Sequence, residues 1–237
     1  MQFLIYVLII LLSCSCGSME EKKHEDDTVP AVPVQTTKPK RPEDSVNEDE
    51  LLDAMIEPAR DEWQKPGIVI GALGELRDKV VAEVGTGTGY FTFKIAQRQP
   101  GVARVIALDH KKRQVNSVED KRVTRFSPEI ASKIETRLCT DSTVALGPGE
   151  ADALLMANCL AFIPDPAKYL TSLKENLKPN GKLVMVEFKS QKMPVGPAPG
   201  LKLPTDTIVS LLERAGWQLE RIDTAALPYQ NLFVALP

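Results

Sequence analysis

Residues 79–91 read KVVAEVGTGTGYF: an apolar, β-branched run, Lys79 to Val84, that ends on an acid, Glu83, and meets three alternating glycines, Gly85, Gly87 and Gly89. Such a run reads as a buried strand. Glycines in that alternation permit positive φ angles and close backbone approach. Phe91 to Gln97 has the spacing of a helix, so the segment predicts strand, tight turn, helix. The unit recurs. Arg104–Leu108, Ile134–Cys139, Ala153–Ala157 and Leu183–Phe188 read as strands, and about Lys111–Ser132, Pro166–Leu177 and about Thr205–Ala215 as helices. Two closing strands are expected near Trp217–Asp223 and Leu232–Leu236. Seven short apolar strands alternating with helices predict an α/β fold whose mostly parallel sheet is covered by helices on both faces. Ligands of such sheets bind beyond the carboxyl ends of the strands, where the strand order switches.

The folded region is expected to run from 48 to 237, with two helices (48–62 and 67–77) ahead of the first strand. Upstream, residues 17–47 read as an acidic linker interrupted by Pro30, Pro33, Pro39 and Pro42, too polar to offset the entropy of ordering. Residues 1–16 read as an export signal. Ten unbroken apolar positions, Phe3 to Leu12, are too few for a bilayer-spanning helix, and Leu11-Leu12-Ser13-Cys14 resembles a lipoprotein lipobox, with Cys14 as the lipidated residue. That resemblance implies a membrane contact through a lipid anchor and a place in the bacterial cell envelope, the alternative being a cytoplasmic protein.

Residues 19–50 hold ten acids and five Lys/Arg, which leaves 22 acids and 24 bases in residues 51–237. A nearly neutral domain lacks the basic stripe that nucleic acid demands, so a small-molecule substrate is expected instead. Cys139 and Cys159 read as unpaired, and no metal-ligand spacing is present.

The glycine loop departs from two familiar phosphate binders. A P-loop ends in Lys and Ser or Thr, where Tyr90 follows Gly89; a dinucleotide fingerprint needs its third glycine where Tyr90 stands. The pattern acid-x-Gly-x-Gly-x-Gly instead resembles the first motif of class I S-adenosylmethionine (AdoMet)-dependent methyltransferases, Rossmann-like in fold, and of bacterial methyltransferase-domain proteins of unassigned substrate among them. The resemblance implies AdoMet as cofactor. It places Glu83 at the cofactor's ammonium and Gly85, Thr86, Gly87, Gly89 and Tyr90 around its methionine and ribose. It continues through Asp109 with His110 (ribose hydroxyls), Asp141 (adenine amine) and Asn158 (near the transferred methyl). Leu173–Phe188, with its Lys-Pro-x-Gly turn, and Ala215-Gly216-Trp217 extend it toward the C-terminus.

Trp63-Gln64-Lys65-Pro66 resembles the entry helix that lies over the cofactor in such proteins, Trp63 serving equally as a cap on the core. On the substrate side Trp63, Phe162, Glu187 and Lys189 are candidates to shape or polarise the acceptor. No histidine base is evident, and no catalytic residue is assigned. The implied activity is methyl transfer from AdoMet to a small molecule; the alternative is a non-catalytic envelope lipoprotein that keeps the fold as a binding module.

Overall fold

A computed structural model describes residues 59–237. The expected signal with Cys14, the linker and the beginning of the first expected helix lie outside the described residues. Seven strands form one sheet: β1 (Val80–Val84), β2 (Arg104–Asp109), β3 (Ile134–Leu138), β4 (Ala151–Ala157), β5 (Leu177–Phe188), β6 (Gln218–Asp223) and β7 (Gln230–Leu236), in the order β3-β2-β1-β4-β5-β7-β6. All neighbours are parallel except β7, which runs antiparallel to both β5 and β6. The fold is the expected Rossmann-like one.

The helices are α1 (Arg60–Gln64), α2 (Pro66–Ala72), α3 (Tyr90–Ala96), α4 (Lys112–Arg125), α5 (Pro128–Ala131), α6 (Pro166–Leu173) and α7 (Thr205–Arg214). Alternate strand residues feed two cores. Val81, Val105, Leu155 and Val184 pack with Ile70, Phe91, Ile95 and Val118 of α2, α3 and α4. Ala82, Ile106, Leu154 and Met185 pack with Leu170, Leu173, Ile208 and Leu212 of α6 and α7. A sheet buried on both faces needs apolar side chains at both phases of the pleat, which is why these strands carry no polar alternation.

Proline and glycine account for the departures from the expected elements. The helix expected over Lys111–Ser132 is two: Pro128 biases Ser127 to extended backbone (φ -62°, ψ 154°), and the Ser127 hydroxyl caps α5 by accepting from the Ile130 amide at 3.4 Å. The helix expected over 67–77 stops at Ala72, two residues before Gly74 with its φ of 88°. The helix expected to reach Leu177 ends at Leu173, passes through a 3-10 turn, and Leu177 already belongs to β5. The Pro179-Asn180-Gly181 turn lies inside β5: pairing with β4 jumps from Ala151↔Leu177 to Ala153↔Lys182, so the intervening residues bulge out. Gly181 is required there, since a Cβ would lie 2.9 Å from the Lys178 carbonyl oxygen. Among the described residues no helix is long and apolar enough to cross a membrane.

Candidate functional site

The strand order reverses between β1 and β4, and at their carboxyl ends a cleft of about 460 Å³ opens. Its floor is the glycine loop. The amides of Gly85 and Thr86 bond the Leu108 carbonyl at 2.8 and 3.0 Å, prolonging the β1–β2 ladder into the turn. Gly85 (φ 75°) lies so near β4 that a Cβ would stand 2.9 Å from that of Cys159. Glu83 is 2% exposed, lines the cleft, and takes the Thr86 and Thr92 hydroxyls on Oε2. Burial pushes its carboxyl up to about 7, against the opposing pull of the Thr92 hydroxyl and the Arg60 charge.

Asp109, at the end of β2, fastens the loop to the second strand: Oδ2 accepts from the Gly87 amide and Oδ1 from the Lys111 amide, both at 2.9 Å. It stays only 5% exposed on the cleft wall. The His110 imidazole lies between two carboxylates, Nδ1 at 3.7 Å from Asp109 and Nε2 at 3.9 Å from Asp141. The exits of β2 and β3 thus present one continuous polar wall.

Asn158 follows β4 in a left-handed conformation (φ 59°), its amide bonded to the Val186 carbonyl at 2.8 Å and its Oδ1 held at 2.6 Å by Gln230 Nε2. Sequence reasoning missed Gln230, which is buried on β7 and supports Asn158 from more than seventy residues away. Glu187, at the end of β5, is 6% exposed and lines the cleft; its Oε1 accepts the amides of Cys159 and Leu160 at 3.1 and 2.9 Å. Burial pushes this carboxyl up to about 7 as well. Cys139 and Cys159 are free thiols. Burial lifts Cys139 to about 11 and Cys159 well above the usual thiol range, so both behave as small apolar groups rather than nucleophiles.

The remaining wall comes from α1 and from the segment after β5. Trp63 is buried, with Phe188 at 5.7 Å and Tyr229 at 6.3 Å between ring centroids, so the ring both seals the core and faces the cleft. Beside it the Arg60 guanidinium lies 3.9 Å over the Tyr90 ring and bonds Gln64 through Nε. Arg60 lines the cleft and is near enough to Glu83 for their charges to couple. It too escaped sequence reasoning. Gly196, Leu201 and Lys202 close the cleft from above; Gly196 (φ 86°) presses on the Phe188 ring, where a Cβ would lie 2.5 Å from it.

Three expected site residues stand off the cleft. Gly89 begins α3 at φ 86°, with Phe93 filling the space a Cβ would take, so it serves the helix start. Tyr90 turns outward, donating its hydroxyl to Asp61 at 2.6 Å and offering its ring to Arg60. The Lys189 ammonium caps the Leu227 and Pro228 carbonyls at 3.2 and 3.0 Å. Thr86, Phe162 and the other expected residues described above line the cleft. Among the described residues no group of three or more His, Cys, Asp or Glu could hold a metal ion.

The buried carboxyl at Glu187 makes stability depend on pH. The folded chain keeps its proton up to about 7, whereas an unfolded glutamate releases it near 4.3. Stability is therefore full below about pH 4 and falls as pH rises through 7, the unfolded state binding fewer protons in that window. Glu187→Gln should remove this group's share of the loss, leaving that of Glu83, and stabilise the domain at pH 8 by on the order of 3 kcal/mol, with little difference at pH 4. Melting temperatures of the two proteins that run parallel from pH 4 to 8 would sink this account.

Residues 82–185 match the methyltransferase domain family. The ubiquinone/menaquinone biosynthesis C-methyltransferase UbiE of Geotalea uraniireducens is 25% identical over 113 residues, 48% of this chain and 47% of that protein. Its counterpart from Geobacter sp. (strain M21) is 26% identical over 115 residues, 48% of each chain. This chain thus spans about half the length of these curated relatives. Among solved structures, a SAM-dependent methyltransferase from Aquifex aeolicus superposes with a TM-score of 0.70 at 23% identity, over 78% of this chain and 96% of that one. The [4+2]-cyclase SpnF shares the fold at a TM-score of 0.58 and 16% identity, over 68% and 59% of the two chains. Residues 82–185 thus resemble a methyltransferase domain, on a fold shared with a SAM-dependent methyltransferase of known structure.

Proposed function

We propose that this protein binds AdoMet in the cleft between β1 and β4 and transfers its methyl group to a small-molecule acceptor. One observation carries the reading: the glycine loop with Glu83, Gly85 and Gly87, and the strand-end residues Asp109, Asp141 and Asn158, distant from it in sequence, converge on one cleft at the switch in strand order. The donor set fits a sulfonium nucleoside with an amino-acid tail. The Glu83 carboxylate suits the tail's ammonium and the Arg60 guanidinium its carboxylate, two opposite charges set side by side as a zwitterion requires. Asp109 and Asp141 supply acceptors for ribose hydroxyls and an exocyclic amine. No lysine sits in the glycine loop to neutralise phosphates, which disfavours nucleotides.

When bound, AdoMet supplies an electrophilic methyl carbon. The protein's part is to orient the acceptor, exclude water and accommodate a proton. Gln230 fixes the Asn158 amide at the exit of β4. Trp63, Phe188 and Leu201 exclude water. A small-molecule acceptor is the reading favoured by a cleft of about 460 Å³ whose outer wall carries Trp63, Phe188 and Leu201.

Calorimetric titration of the full chain tests the proposal. S-adenosylhomocysteine should bind with micromolar affinity, about 8 kcal/mol, while NAD gives no signal. NAD binding in that range without an S-adenosylhomocysteine signal would overturn it.

A further inference from the structure

The cleft holds a third buried carboxyl, Glu187, and cofactor binding does not use it. Glu83 and Asp109 sit on β1 and β2, whereas Glu187 stands two strands from β1 on the side away from β2, near the end of β5. Its Oε1 is committed to the Cys159 and Leu160 amides; among the described residues Oε2 has no hydrogen-bond partner, on a side chain that lines the cleft. Two amides on one oxygen fix the carboxyl plane, so the other oxygen is held in place as an acceptor. The cleft it lines also carries apolar groups: Trp63 from α1, Phe162 after β4, Phe188, and Leu201 from the segment after β5.

We propose that Glu187 is the proton acceptor for methyl transfer, and that the acceptor molecule is a flat, apolar compound whose nucleophile is a neutral hydroxyl of phenol type. This rests on the methyl-transfer reading above. As the new carbon–oxygen bond forms from the hydroxyl's lone pair, the hydroxyl proton passes to Oε2 of Glu187. The carbon–sulfur pair remains on the departing sulfur, so a cation and a carboxylate give neutral thioether, methyl ether and carboxylic acid. Glu187 then returns its proton to solvent.

The charges around the site select a neutral acceptor. A cationic amine would have to shed its hydration against Trp63, Phe188 and Leu201, and in its protonated form has no lone pair to offer the methyl carbon. An anionic acceptor would face ionised Glu187. The Cys159 thiol after β4 lies close enough to couple with Glu187, Asp109 and Glu83, while Asp152, Lys178 and Lys182 belong to the opposite end of β4 and β5; Asn231, opposite Glu187 on β7, is neutral. Lys202 bonds the Gln191 carbonyl at 3.0 Å and lies 5.5 Å from the Phe188 ring centre, at the rim. The carboxyl's raised position near 7 matches a group that exchanges protons at neutral pH.

The test uses the full chain saturated with S-adenosylhomocysteine and three probes: 2-naphthol, 2-methoxynaphthalene and 2-naphthylmethylamine. In the wild type 2-naphthol should bind at least about tenfold more tightly than its methyl ether at pH 8, one charge-assisted hydrogen bond in a dry site. That preference should shrink at pH 6, where Glu187 is protonated. In Glu187→Gln the amide oxygen keeps the two backbone donors and turns NH₂ to the cleft, so naphthol and ether should bind alike at both pH values. S-adenosylhomocysteine affinity should be unchanged in the variant, which also reports an intact fold. Equal binding of alcohol and ether by the wild type, no binding of either, a preference that survives in Glu187→Gln, or tighter binding of the amine overturns the proposal. Absence of S-adenosylhomocysteine binding in the wild type instead overturns the methyl-transfer reading beneath it.

Discussion

Asp109→Ala is expected to weaken S-adenosylhomocysteine binding roughly ten- to a hundredfold, about 1.5 to 3 kcal/mol. Two losses combine in that figure. A buried anionic acceptor for the ribose hydroxyls disappears, and the Gly87 amide, now bonded to Oδ2 at 2.9 Å, loses the partner that ties the glycine loop to β2. The 2′,3′-dideoxy analogue separates them, because without hydroxyls it cannot use the ribose contact. Its affinity should fall by less than that of S-adenosylhomocysteine, the remainder being the loosened loop. Equal losses for both ligands would show that Asp109 only braces the loop, and an unchanged S-adenosylhomocysteine affinity would place the ribose elsewhere.

What the sequence made legible was local. A strand, an acid and three glycines are neighbours in the chain, and the acid at the next strand end, Asp109, follows at a spacing fixed by one helix and one strand. Glu187 was visible for the same reason, as the last acid of a strand. The residues that escaped notice arrive from afar: Gln230 reaches Asn158 from β7, and Arg60 reaches Glu83 from α1. Neither has a periodicity that would mark it, since their placement depends on how α1 and the antiparallel β7 pack on the sheet. Tyr90 shows the opposite failure. It sits beside the third glycine, but the helix begun by Gly89 rotates its ring outward to Asp61 and Arg60. Adjacency in sequence was a poor guide once a helix had started, because each residue there turns by about 100°.

Arg60→Met should discriminate between two ligands that share the nucleoside. For S-adenosylhomocysteine, which carries the amino-acid tail, the expected loss is roughly ten- to a hundredfold, the range of a hydrogen bond to a charged group. For 5′-methylthioadenosine, which lacks that tail, affinity should stay within about twofold. Methionine keeps much of the apolar stem's volume, so α1 retains its packing while the guanidinium is removed. Tyr90→Leu, which takes away the ring beneath the guanidinium, should weaken S-adenosylhomocysteine in the same direction and by less, since a cation–π contact is worth about 0.5 to 1 kcal/mol at a partly exposed site. Tyr90→Phe, which loses only the hydroxyl bonded to Asp61, should leave both ligands nearly unaffected. If Arg60→Met weakens the two ligands equally, the side chain supports the cleft without touching the tail, and the zwitterion assignment of Glu83 and Arg60 fails.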